Sequence, residues 1–157
     1  MAMRPMCKTK NGYQIMLANY NNRKSQLRDC CKTQEEFVIR VKKLNDKIHS
    51  IRRAIRTIEK RERFLNNARL AIIEYNGVDV KLCKYTKGGS VEQLSKFAFF
   101  KFCIESGIGG GYVARFLKIW VDTPTLERLN FTRSFKVSPK NRDFYHSISA
   151  YIKQFNK

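Results

Sequence analysis

Apolar residues recur in strict 4-3 alternation between Phe37 and Ile58: Phe37, Val41, Leu44, Ile48, Ile51, Ile55 and Ile58. That spacing keeps them on one side of a helix and predicts a long element with a single apolar seam. Tyr13, Leu17, Tyr20, Leu27 and Cys31 repeat the spacing, with Lys24 as the one break. No Gly or Pro occurs from Tyr13 to Asn76, so helices should run through this stretch with few interruptions. The pattern resets around Asp29–Thr33. There Thr33-Gln-Glu-Glu36 has the capping-box form, a Thr hydroxyl for the backbone and a Glu at the third helical position. The pattern predicts a first helix near 12–30 and a longer second one from 33, packed on each other as an intramolecular hairpin.

Two endings compete for the second helix. In one it runs to about Tyr75, and Asn76-Gly77 supplies a left-handed cap. In the other, Leu70–Tyr75 and Val78–Tyr85 form a short β-hairpin across the same Asn-Gly turn. Thr86-Lys-Gly-Gly-Ser90 reads as a linker and sets a boundary between a part at 1–86 and a part at 90–157. Ser90-Val-Glu-Gln93 is a second capping box. The helix it opens carries Val91, Leu94, Phe97, Ala98, Phe102 and Cys103, widened by Phe99 and Phe100, and so should be central to a core. Ser106-Gly-Ile-Gly-Gly-Gly111 ends it, and a short helix follows over 111–119. Thr123-Pro124 and Ser138-Pro139 are start signals for two more helices. The fold class expected is mainly α.

Charge changes the picture. The chain has 32 Lys and Arg against 13 Asp and Glu, a net +19. Such an excess favours an anionic partner, nucleic acid before others. It is concentrated in two zones, the first 70 residues and 111–142, with a nearly neutral stretch between. On the long helix, Arg52, Arg53 and Arg56 are among the cations beside the seam. Lys47 would face Arg52 of a partner in a parallel self-dimer, which disfavours that assembly. Self-association or a protein partner at the 37–58 seam remains an alternative use of it.

Candidate chemistry is sparse. No nucleophile elbow, zinc-binding helix motif or Walker loop occurs, and no carboxylate pair stands out, so an enzyme is not expected. The glycine run 107–111 follows a helix rather than a strand and lacks the Lys-Ser/Thr of a phosphate loop. Cys7, Cys30, Cys31, Cys83 and Cys103 form no C-x-x-C, and His49 and His146 are the only histidines, so neither a metal nor another cofactor is expected. Reduced thiols suit a cytoplasmic setting, with Cys30-Cys31 as two partly buried small residues. No apolar run is long enough for a membrane span, and the N-terminus lacks the apolar core of a secretion signal.

The order of the last third carries one resemblance. A helix at 90–105, a short helix at 111–119 and a helix at 123–135 follow the order of a three-helix DNA-binding unit. Val113-Ala-Arg-Phe-Leu-Lys-Ile119 with Thr123-Pro-Thr-Leu-Glu-Arg-Leu129 resembles the helix-turn-helix DNA-binding family. Ala114 and Ile119 stand where that family has a small and an aliphatic residue, and Leu126 and Leu129 would anchor the recognition helix. Lys118 occupies the place of the usual turn glycine, and the turn is longer than the tight form. A second register takes Gly107 as the turn glycine, followed by Ile108, Val113 and Phe116. The first register implies that Thr125, Arg128, Thr132, Arg133 and Lys136 face bases, Arg128 foremost. It also implies that Arg115, Lys118, Lys140 and Arg142 hold phosphates. The function expected is non-enzymatic binding of nucleic acid, DNA before RNA, by a regulator located with the nucleoid. The alternatives are a component of a ribosome or of a phage or virus particle, and a protein-binding inhibitor.

Overall fold

The computed structural model describes residues 9–83, 90–119 and 138–155. Among the described residues there are five helices and no strand: α1 (Lys10–Cys30), α2 (Gln34–Asn76), α3 (Val91–Glu105), α4 (Gly110–Phe116) and α5 (Pro139–Phe155). The protein is mainly α. Its contacts divide it into two compact units, Met1–Lys60 and Arg61–Lys157. The division therefore falls inside α2, whereas the sequence placed a boundary at 86–90. The reason is that Leu65, Ala68, Ala71 and Ile72 of α2 bury themselves in the same cluster as α3. Residues 84–89, which hold most of the expected linker, lie outside the described residues.

In the first unit both helices start where a hydroxyl can cap them. Thr9 Oγ1 accepts from the Gly12 amide at 3.1 Å and begins α1 at Lys10, three residues before the apolar pattern does. Thr33 Oγ1 accepts from the Glu36 amide at 3.2 Å. The Glu36 carboxylate accepts in turn from the Lys32 amide at 3.2 Å, one residue upstream of the usual capping-box donor. Contacts between α1 and α2 run in opposite chain directions. Lys10 Nζ pairs with Glu59 at 3.0 Å, Lys47 Nζ lies 5.7 Å from the Tyr20 ring centroid, and Leu27 shares a groove with Leu44. Along the seam Ile48, Ile51 and Ile58 are buried and Phe37, Val41, Leu44 and Ile55 half-buried. No residue of α1 is fully buried.

The second unit is built around α3, whose residues Ser95 to Phe100 are buried without a break. Phe99 and Phe100 are fully enclosed, together with Ile72, Val113, Ile148 and Ile152 from the helices around them. An aromatic-rich helix buried on several sides needs neighbours on several sides, and the end of α2, α4 and α5 supply them. Phe64 stacks on Phe102 at 5.8 Å, and Tyr75 packs on Tyr151 at 5.4 Å. Ser138 starts α5 by accepting from the Asn141 amide at 3.4 Å, and Tyr145, Ile148 and Ile152 carry its buried face.

Within 70–83, the described part of the expected β-hairpin, there is no strand, and 84–85 lie outside the described residues. The helix continues to Asn76, and Gly77 turns the chain at φ +75°, a left-handed conformation suited to glycine. The turn after it is held by Asp79. Arg69 grips its carboxylate side-on through Nε, at 2.7 Å, and Nη2, and the Lys81 amide donates to it at 3.0 Å. The Asp79 carbonyl accepts from the Leu82 and Cys83 amides and the Cys83 thiol. A strand would pull these groups apart. Asn76 ties the turn to α3 by donating from Nδ2 to Ser95 Oγ at 2.8 Å, and Lys96 Nζ donates to the Cys83 carbonyl at 2.7 Å. Lys96 is buried, which lowers its pKa.

The Arg69 hydrogen bonds, opposed by partial burial, hold the Asp79 carboxyl below its ordinary pKa. A depressed acid contributes stability above its unfolded-state pKa and loses it as pH falls through the folded value. Asp79→Asn should therefore destabilise the second unit by about 1–3 kcal/mol near neutral pH and flatten the acid limb of its stability curve. Denaturant titrations of both proteins between neutral and acid pH check this.

Candidate nucleic-acid interface

A dense cationic surface lies on α2 in the first unit. His49, Arg52, Arg53 and Arg56 are spaced three, four and seven residues apart, which places them on one helical face. All four are exposed, and they line a depression of about 360 Å³. None has a carboxylate partner among the described residues. Glu59, three residues beyond Arg56, is paired with Lys10. Four cationic or cation-capable groups in one window can meet consecutive phosphates. A second groove, between α1 and α2, is lined by Arg23, Gln26, Leu27, Cys30, Arg40 and Leu44, again without a carboxylate. Cys30 is exposed there and only Cys31 is partly buried, so the pair is not the two half-buried residues expected.

In the second unit the sites cluster around α4. A glycine at φ +82°, Gly107, ends α3 in a Schellman arrangement: its amide donates to the Ile104 carbonyl and the Ile108 amide to the Cys103 carbonyl. Lys118 ends α4 in the same arrangement, its amide donating to Arg115 and that of Ile119 to Ala114. Lys118 does so at φ +54°, the only non-glycine with positive φ among the described residues. Both turn residues considered from sequence, Gly107 and Lys118, therefore adopt the left-handed conformation. Arg115 is exposed and donates from Nε to the Gly111 carbonyl at 3.2 Å. Its guanidinium carbon lies 5.0 Å from the Tyr112 ring centroid, and that of Arg61 lies 4.9 Å from the same ring. Lys81 Nζ lies 4.4 Å from the Phe116 centroid. Lys140 and Arg142 are exposed in the first turns of α5, where no acidic residue sits in the first turn.

The structure thus gathers Arg52, Arg53 and Arg56 on one face, adds His49 to them, and places Arg115 and Lys118 on α4 and its end. These two sets belong to different compact units. Thr125, Arg128, Thr132, Arg133 and Lys136 lie in 120–137, outside the described residues, as does the expected recognition helix. His49, Arg61, Lys81 and Tyr112 were missed from sequence. His49 could have been found from its spacing to Arg52 and Arg53. Arg61 and Lys81 reach their rings from distant parts of the chain and leave no local signal.

Other titrating groups serve packing. Burial opposes ionisation of Glu105, but hydrogen bonds from Lys101 and Tyr145 outweigh it and lower its pKa. Burial, then the bond to Glu105, pushes the Tyr145 hydroxyl upward, and burial alone pushes up the Cys103 thiol. Among the described residues no three His, Cys, Asp or Glu side chains come together to hold a metal, and no helix is long and apolar enough to cross a membrane. Comparison of the chain with protein-family models, with characterised proteins and with solved structures gives no match.

Two of these cations sit against local stability. A left-handed L-residue costs about 1–2 kcal/mol, and glycine's extra chain entropy about 0.5–1 kcal/mol, so Lys118→Gly should be neutral or stabilising by up to about 1 kcal/mol. Lys140 faces the positive end of the α5 dipole, and Lys140→Glu should add about 0.3–1 kcal/mol. If these side chains serve binding, both substitutions should weaken affinity for duplex DNA while leaving thermal stability equal or higher. Melting curves paired with anisotropy titrations measure the two effects side by side.

Proposed function

We propose that the protein is a non-enzymatic nucleic-acid-binding protein whose favoured partner is duplex DNA. The observation that carries this reading is the exposed His49–Arg52–Arg53–Arg56 face, cationic and unneutralised among the described residues. A surface of this kind gains its binding energy by releasing counterions from phosphates and needs no catalytic group. Arg115, Lys118, Lys140 and Arg142 add phosphate contacts from the second unit. Base reading falls to Thr125, Arg128, Thr132, Arg133 and Lys136, through the helix-turn-helix resemblance of 90–137. A regulator at the nucleoid follows from that resemblance. A packaged component of a phage or virus particle would use the phosphate contacts alone.

Duplex affinity should fall steeply between about 50 and 200 mM salt, and Arg52→Gln/Arg53→Gln/Arg56→Gln should reduce the slope by roughly 2–3, near 0.9 for each lost phosphate contact. Absent or salt-independent binding contradicts the proposal. Arg128→Ala should cost about 1–3 kcal/mol of selectivity between sequences if the chain reads bases. Unchanged selectivity in that variant favours the packaging role.

A further inference from the structure

Arg115, which the helix-turn-helix resemblance gives as a phosphate contact, is joined by Arg61 and Tyr112 in a feature that neither that resemblance nor the charge pattern assigns. Both guanidinium carbons lie within 5.0 Å of one tyrosine ring centroid, and so within about 10 Å of each other. Neither has a carboxylate partner among the described residues. Two like charges held together without a counter-ion leave a place for an anion. One turn along α4, Phe116 carries Lys81 on its ring and stacks on Phe99 at 5.8 Å. The carboxylate that acts on Lys81, Asp79, is gripped by Arg69. Both aromatic rings of α4 are thus already engaged, which leaves cations rather than ring faces for a ligand. That favours a phosphate over a stacked base.

The backbone beside these cations is bare. A Cβ built on Gly109 or Gly111 would meet nothing within 4 Å, and neither residue has positive φ. Packing and conformation therefore do not require glycine there, and the bare backbone leaves room for a ligand to rest against the chain. Arg115 is further held by its hydrogen bond to the Gly111 carbonyl. Stacking also fixes each guanidinium in advance, so less side-chain freedom is lost on binding.

We infer that Arg61 and Arg115, held on Tyr112, form a clamp for one phosphodiester of a nucleic-acid strand, with Gly109 and Gly111 leaving room for it. The clamp rests on the nucleic-acid reading given above and gives it a defined site in the second unit.

The test compares the full-length protein with Arg61→Gln/Arg115→Gln, Tyr112→Leu and Gly111→Ala, using a short labelled duplex, inorganic phosphate and anionic-lipid vesicles as probes. Circular dichroism melts establish that each variant is folded. The double variant should weaken duplex binding about five- to tenfold and flatten the salt slope by about 0.9, one phosphate contact. Tyr112→Leu keeps every charge and should still weaken binding severalfold. Gly111→Ala should bind more weakly at equal or higher stability, which a purely structural glycine would not show. Inorganic phosphate should compete poorly. If the wild type binds the duplex and the double variant has the same affinity and slope, the clamp is wrong and the nucleic-acid reading stands. If the wild type does not bind the duplex, both fail. Loss of vesicle binding without loss of duplex binding reassigns the site to a lipid surface and overturns the clamp.

Discussion

Carboxylates are too few in this chain to neutralise its cations, 13 against 32, and the structure is organised around that shortage. Several of the acids are spent where the fold needs them. Asp79 is gripped by Arg69 and holds the turn after α2, Glu105 joins Lys101 on α3 to Tyr145 on α5, and Glu59 ties α2 to Lys10 of α1. Other cations are accommodated without a carboxylate. Lys96 is buried against a backbone carbonyl, and Lys47, Arg61, Lys81 and Arg115 lie over aromatic rings. At these four positions a ring stands where a carboxylate would otherwise meet the cation. Arg52, Arg53 and Arg56 have neither among the described residues.

This partition separates structural charge from charge available to a ligand. A cation whose partner is a part-buried carboxylate contributes to the fold and has little to gain from a phosphate. A cation on an aromatic ring keeps its charge, is held in position, and is still open to an anion. An exposed arginine without a partner is free to meet whatever approaches. The first kind includes Arg69, the second Arg61 and Arg115, the third the α2 face. Two compact units each contain surface of the last two kinds, which suits a protein that contacts a long polyanion rather than a small anionic substrate.

Helix starts were legible in the sequence because they depend on residues three apart. Thr33 and Ser90 cap as their spacing requires, and Gly77 ends α2 as an Asn-Gly step can. The start of α1 was placed late because Thr9 lies outside the apolar repeat that located the helix. The central place of α3 was readable from its consecutive aromatic residues. The division of contacts within α2 was not, since the change from a narrow seam to a wider apolar surface at Leu65–Ile72 has no breaker to mark it. Turn chemistry at Asp79 was hidden by an alternating Val78-Asp-Val80 that imitates a strand. At the candidate interface, Arg52, Arg53 and Arg56 needed only helical spacing, while the meeting of Arg61 with Tyr112 depends on tertiary packing.

The most direct test of the division between structural and available charge is arginine footprinting. The folded protein is treated with a dicarbonyl reagent, with and without duplex DNA, and modification is read residue by residue by mass spectrometry. Arg52, Arg53, Arg56, Arg61 and Arg115 should react in the free protein and be protected by DNA, while Arg69 should react slowly in both. Equal reactivity of these five with and without DNA, or DNA-dependent protection at Arg69 alone, would contradict the account.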